Sequence, residues 1–270
     1  MADIPLHVRL LKRAFPYRSL FAKMTRVPGI GAVVDRMFFE NDEIMYIPID
    51  TSISISESYE CASVVLPSVA VEELIREGRH FWIMNFCICR ESMDCKDYPH
   101  DLGCLFIGEA SRKIDPSLGK SATREEALAH VRKCREAGLV HLIGRNKLDA
   151  SWLKVSPGEK LLTVCNCCPC CCLWMMLPSL SPSIGAKVTR MPGVAVEVGD
   201  ACTGCGRCTK GICFVGALSI EDGKAVVSEE CRGCGRCVEF CENNAITLFY
   251  GGKDSVDKTL GRIRDAVDYM

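Results

Sequence analysis

Six of the eight residues in the run CNCCPCCC, which begins at Cys165 and ends at Cys172, are cysteine. Neighbouring Cα atoms lie ~3.8 Å apart, below the ~4.4 Å that a disulfide usually requires, so adjacent thiols such as Cys167 and Cys168 cannot easily bridge each other. Unliganded thiols at this density would oxidise or cross-link in air. The run therefore predicts a site at which thiolates bind a metal.

A second cysteine-rich segment, CICRESMDCKDYPHDLGC, begins at Cys87 and is rich in turn residues. Its spacing is not a standard iron–sulfur spacing, but its four thiols would suffice for one cluster. Together the two segments supply ten candidate metal ligands: Cys87, Cys89, Cys95, Cys104, Cys165, Cys167, Cys168, Cys170, Cys171 and Cys172. Ten thiols could hold two cubanes with spares, one larger cluster, or one cubane and a non-cubane centre. A thiol redox relay and a zinc site are alternatives that the spacing leaves open.

An internal repeat lies in the last third of the chain. CTGCGRC begins at Cys202 and CRGCGRC begins at Cys231, an offset of 29 residues. Three cysteines at this C-x2-C-x2-C spacing can occupy three corners of one iron–sulfur cubane, because the glycine-bearing turn wraps around it. The fourth ligand must then come from elsewhere in the chain. Zinc is the alternative metal, but it prefers paired C-x2-C knuckles.

Residues 198–250 resemble the bacterial 2[4Fe-4S] ferredoxin family through this doubled motif. In that family the distant cysteine of each run binds the other cluster, so the resemblance implies two crossed ligand sets. The first set is Cys202, Cys205, Cys208 and Cys241. The second set is Cys231, Cys234, Cys237 and Cys213. The chain departs from the family pattern at Phe214 and Glu242, which replace the usual proline, and in the wider spacing between Cys208 and Cys213.

Residues 80–175 also resemble a group of iron–sulfur proteins from anaerobes, in which three segments precede a two-cluster ferredoxin domain. CICR, EEALAHVRKCREAGLVH and CNCCPCCC match those segments in order. The resemblance implies iron–sulfur chemistry in anaerobic metabolism and no particular substrate. It favours one or two further iron–sulfur clusters upstream of the repeat.

Hydrophobic spacing and turn signals predict an α+β fold. The best-marked helix is TREEALAHVRKCREAG, in which Thr123 and Glu126 form a capping box, and SVAVEELIRE is a second helix. Strands are expected for EIMYIPIDTSISISE, HFWIMNFCIC, LVHLIG, WLKV and KLLTVC, and a loop-rich linker for SPSIGAKVTRMPG. These elements predict a cysteine-rich α+β domain at residues 1–190, followed by a ferredoxin-like two-cluster domain at residues 191–270 with a C-terminal tail helix.

Composition narrows the class of protein. Twenty cysteines in 270 residues, with no evident secretory signal, favour metal binding in the cytoplasm over a disulfide scaffold. No stretch reaches the ~18 apolar residues of a membrane span, and the net charge of −1 gives no argument for nucleic acid. The first forty residues are locally basic, which is typical of a solvated helix face or of a docking surface for an acidic redox partner or a membrane.

Side chains outside these cysteine sets also carry expectations. Cys61 and Cys134 are expected to be small buried hydrophobic residues. Cationic and histidine side chains near the cysteine segments would either tune a metal site or be solvated: Arg90, Lys96, His100, His141, Arg145 and Lys147.

The pattern as a whole favours an iron–sulfur electron-transfer protein with two [4Fe-4S] clusters, one or two further clusters upstream, and redox proteins as partners. The alternative is an iron–sulfur oxidoreductase, which reduces a small substrate at an unusual cluster held by Cys165–Cys172 and receives electrons from the repeat. A cluster-delivery or metal-storage protein is a third class, and the tight repeat argues against it. The sequence indicates no catalytic residue and no oligomeric state.

Overall fold

The computed structural model describes residues 4–52 and 66–270, and its architecture is α+β, as the sequence predicts. Seven strands form the largest sheet: β1 (Glu43–Ile47), β2 (Phe81–Met84), β3 (Leu105–Ile107), β4 (Gly119–Ala122), β5 (Val140–Arg145), β6 (Leu162–Cys167) and β7 (Val188–Arg190). Their spatial order is β4-β2-β3-β6-β5-β1-β7. Neighbouring strands are antiparallel, except that β1 and β7 run parallel.

Ten α-helices surround the sheet within the described ranges. They are α1 (Leu6–Ala14), α2 (Arg18–Met24), α3 (Ile30–Phe38), α4 (Ser68–Glu77), α5 (Ile88–Ser92), α6 (Arg124–Glu136), α7 (Lys147–Leu153), α8 (Pro182–Gly185), α9 (Arg236–Glu239) and α10 (Lys253–Ala266). In the part of the chain that the structure describes, none of them has the length and apolar character needed to cross a membrane.

The pleat of the central strands decides which side chains reach the thiol-rich side of the sheet. Alternate residues of a strand point to opposite faces, and one face packs with α4, α6 and α10 into a single hydrophobic core. The opposite face carries Tyr46 of β1, Leu142 of β5 and Cys167 of β6. Leu142 pairs with Tyr46 on one side and with Cys165 on the other. Tyr46 and the β6 thiols therefore flank β5 on the same face.

Several predicted elements are confirmed. Helix α4 coincides with SVAVEELIRE, and α6 begins after a capping box in which Thr123 and Glu126 each accept the other's backbone N–H, at 3.2 and 2.8 Å. Strand β5 overlaps LVHLIG and runs one residue beyond it, β6 overlaps KLLTVC and runs two residues beyond it, and β1 lies in EIMYIPIDTSISISE. Residues 53–57 of that stretch lie outside the residues that the structure describes, and so does Cys61.

Three predictions of local structure are wrong. The strand expected for HFWIMNFCIC ends at Met84, because the next backbone N–H groups bond to carbonyls of other loops and α5 then begins at Ile88. The first two residues of WLKV belong to α7, which ends at Leu153 and whose first turn is held by a hydrogen bond from Asn146 to Asp149 at 2.7 Å. The expected linker contains α8, which begins with a proline in its first turn, and β7, which pairs with β1.

The repeat lies between two short antiparallel pairs. Strands β8 (Ala195–Val198) and β11 (Ile246–Phe249) pair with each other, and β9 (Leu218–Glu221) forms a hairpin with β10 (Lys224–Val227). After β11, helix α10 packs against α4, and its apolar side chains join the core of the large sheet. The domain boundary predicted between residues 190 and 191 stays a prediction.

Candidate metal centres

The cysteines of the repeat lie around two separate cavities. One cavity is lined by Cys202, Cys205, Cys208 and Cys241. The other is lined by Cys213, Cys231, Cys234 and Cys237. Each cavity thus receives three thiols from one run and the distant thiol of the other run. This arrangement is the crossed grouping that the family resemblance implies, and the role of these thiols as iron ligands stays a prediction.

Backbone N–H groups point at several of these sulfurs. The N–H groups of Ala225, Ala217 and Ala245 donate to Cys202, Cys213 and Cys241, each at 3.3 Å. Gly204 and Gly233 adopt positive φ, +64° in both, a conformation that glycine takes at little cost. Hydrogen bonds from Ala225 and Gly204 lower the pKa of Cys202. Donors of this kind stabilise thiolates and tune the potential of an iron–sulfur cluster.

The two departures from the ferredoxin pattern have different surroundings. Phe214 is buried and its ring lies 5.5 Å from the ring of Tyr46, so it joins the repeat to the large sheet. Glu242 is at the surface and pairs with Arg207. Neither change removes a thiol from its cavity.

The surroundings of Tyr46 indicate whether the second repeat cavity could hold an iron–sulfur cluster. Its side chain is fully buried and lines the cavity that contains Cys213 and Cys234. Its hydroxyl has no hydrogen-bond partner among the described residues. Burial, with the neighbouring Cys172 and Cys167, raises the pKa of Tyr46, so the hydroxyl keeps its proton. An unsatisfied buried hydroxyl costs about 1–3 kcal/mol. A sulfur acceptor in the cavity would satisfy it, so these residues fit an iron–sulfur cluster.

The ten upstream thiols separate into two groups. The first, which we call the six-thiol chamber, surrounds a cavity of about 90 Å³. Its members are Cys87, Cys89, Cys104, Cys165, Cys167 and Cys172. The second, which we call the four-thiol site, consists of Cys95, Cys168, Cys170 and Cys171. Cys168 also lines the chamber cavity, so the two groups are adjacent.

Strands β6 and β3 and helix α5 position five of the six thiols of the chamber, and the sixth, Cys172, follows the turn after β6. Cys165 and Cys167 are alternate residues of β6 and share one face, and Cys104 immediately precedes β3, the neighbouring strand. The Sγ atoms of Cys104 and Cys165 lie 3.8 Å apart. Cys87 caps α5 and Cys89 lies in its first turn. The set is therefore built mainly on regular structure, which holds side chains more precisely than loops do.

The walls of the chamber are largely apolar, with a few polar groups. The backbone N–H of Trp174 donates to Cys172 at 3.4 Å. Asp149 also lines the cavity and is bonded to Trp152 and Asn146 at 2.9 and 2.7 Å. Burial and the nearby Cys165 raise the pKa of Asp149 to about 8. This carboxyl group therefore carries a proton at neutral pH beside the thiols.

The four-thiol site is more compact. All four Sγ atoms lie within 4.8 Å of one another, and the Sγ atoms of Cys95 and Cys170 are 3.5 Å apart. Three of the thiols come from the turn after β6, and Cys95 comes from the loop after α5. Of the upstream thiols that the structure describes, Cys134 lies in neither group and is fully buried, as predicted. Its Sγ atom contacts Nε2 of His130 at 3.7 Å.

Arg90 lies between the two upstream groups. Its side chain has no exposed surface, and its guanidinium donates to the carbonyl oxygens of Pro99 at 2.7 Å, Asn166 at 2.8 Å and Leu102. The nearby thiols Cys87 and Cys168 outweigh the effect of burial and raise its pKa, so Arg90 is a fixed buried cation.

The other polar candidates have different surroundings. Lys96 pairs with Asp94 at the surface, and Lys147 pairs with Glu40. His100 donates to the carbonyl of Cys95 at 2.7 Å, whereas buried His141 bonds to the side chain of Asn166 at 2.8 Å. Burial raises the pKa of Asp42 to about 7, and the positive charge of Arg145 partly opposes that rise. Of these six side chains, Arg90 has the position needed to offset charge on both thiol groups.

Comparison of the chain with known protein families gives a match within the repeat. Residues 225–247 match the 4Fe-4S binding domain family, and this span contains all four cysteines of the second run. The match supports an iron–sulfur domain of ferredoxin type in this part of the chain and, at that level, confirms the predicted 4Fe-4S chemistry. It includes none of the upstream thiols. No curated protein and no solved structure matches the chain.

Proposed function

We propose that the chain is an iron–sulfur electron-transfer protein in which two [4Fe-4S] clusters of the repeat exchange electrons with a metal centre in the six-thiol chamber. The position of Tyr46 carries this proposal. The cysteines whose charges act on its hydroxyl belong to both sites, Cys213 and Cys234 in the repeat and Cys167 and Cys172 in the chamber.

The space between these two sites is filled by protein core. One hydrophobic cluster contains Tyr46, Phe214, Cys167 and Cys172, and thiols of the second repeat cavity pack against it. Adjacent strands are ~4.8 Å apart, so Tyr46 on β1 and Cys167 on β6 lie about two strand spacings apart across β5. Bound clusters would supply one-electron chemistry, and this short separation through packed side chains suits electron exchange between them.

The exposure of the thiols indicates the direction in which electrons would pass between the three sites. Cys205, in the first repeat cavity, is exposed, and Phe240 beside the same cavity is 45% exposed. In the second cavity Cys237 is buried. A redox partner would therefore meet the chain at the first cavity, and electrons would pass through the second cavity toward the chamber.

One observation favours the alternative, an oxidoreductase acting on a small substrate. The chamber shares Leu11, Phe15, Leu148 and Leu173 with an apolar groove of about 330 Å³ beneath α1–α3. A small apolar molecule could reach the thiols through this groove, and protonated Asp149 lies beside them. In this second candidate function the repeat is the electron supply, and the chamber is the reaction site.

Iron and sulfide analysis with EPR on anaerobically purified protein tests the proposal. We expect about eight irons from the repeat and additional iron from the chamber, with cluster signals that small reducible compounds leave unchanged. About eight irons in all would contradict a chamber centre. An unusual signal that a small disulfide perturbs would favour the oxidoreductase. Cys234→Ala should lose about four irons, whereas the matched control Cys134→Ala should lose none.

Tyr46→Phe should lower the reduction potential of the cluster in the second repeat cavity without changing the iron content. With a cluster bound in the cavity, the hydroxyl would donate a hydrogen bond that favours the more negative, reduced state, and phenylalanine keeps the ring but removes that donor. An anaerobic redox titration followed by EPR measures the shift. Tyr250→Phe is the control, because the Tyr250 hydroxyl is also buried and has no hydrogen-bond partner within residues 4–52 and 66–270, but lies near Asp50 instead of cysteines. An equal shift in both variants would contradict the role of Tyr46.

A further inference from the structure

We propose that the four-thiol site binds a single zinc ion in tetrahedral geometry, as a structural clamp beside the chamber, and that it does not hold an iron–sulfur cluster. The zinc assignment rests on the four-thiol site alone, whereas the role of the ion beside the chamber rests on the proposed function. It goes beyond the iron–sulfur assignment by giving two different metals to the ten upstream thiols.

The separation of the sulfurs decides the number of metal atoms. Four thiolates around one tetrahedral zinc lie ~3.8 Å apart, since each Zn–S bond is ~2.3 Å. In a cubane each cysteine binds a different iron, so the cysteine sulfurs spread to roughly 6 Å or more. Here all four Sγ atoms lie within 4.8 Å, and one pair is at 3.5 Å. The site has the size of a single ion and is too small for a cubane.

The other cysteine sets provide an internal comparison. Within residues 4–52 and 66–270, no second set of three or more histidine, cysteine or acidic ligands is gathered in this way. The repeat cavities and the six-thiol chamber surround open space instead. The chamber contains a close pair, Cys104 and Cys165 at 3.8 Å, but among the described residues only the four-thiol site gathers four thiols mutually within 4.8 Å, which indicates a smaller ligand there.

Burial and nearby positive groups favour a closed structural ion. Cys95, Cys168 and Cys171 are at most 7% exposed, and four thiolates complete a tetrahedral shell without leaving a position for water. A zinc ion with four thiolates carries a net charge of about −2. The guanidinium of Arg90 lies close to Cys168, and the backbone N–H of Asp97 lies close to Cys95, so both would offset that charge.

The location of the site explains what the ion would do. Cys95 lies between Cys89 and Cys104, and Cys168 follows Cys167, so the ion would tie together the two segments that also supply the chamber. Zinc has no redox chemistry. It would therefore fix the geometry of the chamber while the neighbouring centre changes its charge.

Zinc and iron analysis of the full-length, anaerobically purified protein tests the proposal. We expect about one zinc per chain, and X-ray absorption at the zinc edge should show four sulfurs at ~2.3 Å with no nearby metal. Cys170→Ala should lose the zinc and keep its full iron content. Cys104→Ala, in the chamber, should lose iron and keep the zinc, and Cys134→Ala should keep both.

A second measurement uses the unaltered chain, so that the test does not depend on a variant that folds. Metal-free protein titrated with Co²⁺ should first fill one tetrahedral thiolate site, with its characteristic visible absorption, and zinc should displace that cobalt. Absence of zinc, loss of about four irons in Cys170→Ala, or a single iron at the site in place of zinc would each overturn the proposal.

Discussion

Replacing Cys165 by alanine should remove the metal of the six-thiol chamber and leave the clusters of the repeat in place. Cys165 is central in this set, because its Sγ atom lies 3.8 Å from that of Cys104 and interacts with the thiol of Cys167. It stands on a central strand of the sheet, so no nearby thiol can move into its position without disturbing the pairing of β6 with β3 and β5. Iron content should fall, and the signals of the two repeat clusters should persist.

The control for this experiment is Cys134→Ala, which removes a fully buried thiol that belongs to none of the metal sets. Iron and sulfide content, together with EPR of the reduced protein, should be the same as in the unaltered chain. If Cys165→Ala also kept all its iron and all its signals, the chamber would hold thiols alone, and the proposed electron path beyond the repeat would be wrong.

The two cavities of the repeat are the part of the site that the sequence predicts best. The reason is local: each C-x2-C-x2-C turn places its own three thiols, and glycines such as Gly204 and Gly233 mark the tight turns. The one long-range element, the crossing of Cys213 and Cys241, came from the family resemblance and not from spacing.

The division of the ten upstream thiols could not be read from spacing, because it depends on strand register. Cys104 meets Cys165 across 61 residues, and Cys95 meets Cys170 across 75. One signal was present in the sequence. Cys165 and Cys167 alternate as strand residues do, whereas Cys168, Cys170 and Cys171 surround a proline, as turn residues do. The site of each group follows once β6 is known to end at Cys167.

Tyr46, Asp149 and Trp174 were missed for related reasons. Tyr46 lies in a stretch that predicts a strand, but its importance depends on β1 lying beside β5, which the sequence does not reveal. Asp149 was hidden because WLKV suggested a strand, although Asn146 before it is a common helix-start residue. These residues lie beside the thiols only because tertiary contacts bring them there, and such contacts cannot be read from spacing along the chain.

Arg90→Met should lower the free energy of unfolding by about 3–5 kcal/mol, the range seen when one partner of a buried charge pair is removed. Methionine fills much of the volume but leaves the carbonyls of Pro99, Leu102 and Asn166 without their donor, and leaves the thiolates without a counter-charge. Metal content of both upstream groups should fall with stability. Anaerobic denaturant unfolding and metal analysis measure the two effects.

Two further variants separate charge from hydrogen bonding. Arg90→Lys keeps the positive charge, but an ammonium group cannot reproduce the planar set of guanidinium N–H donors. The free energy of unfolding of this variant should therefore lie between that of the unaltered protein and that of Arg90→Met. Lys96→Met removes an exposed cation whose one salt-bridge partner in the described part of the chain is Asp94, and should change stability by ~0.5 kcal/mol or less. If Arg90→Met behaved like Lys96→Met, the surrounding thiols would carry no charge. Neither upstream group would then be bound to metal as thiolates, because metal binding requires that cysteine be deprotonated.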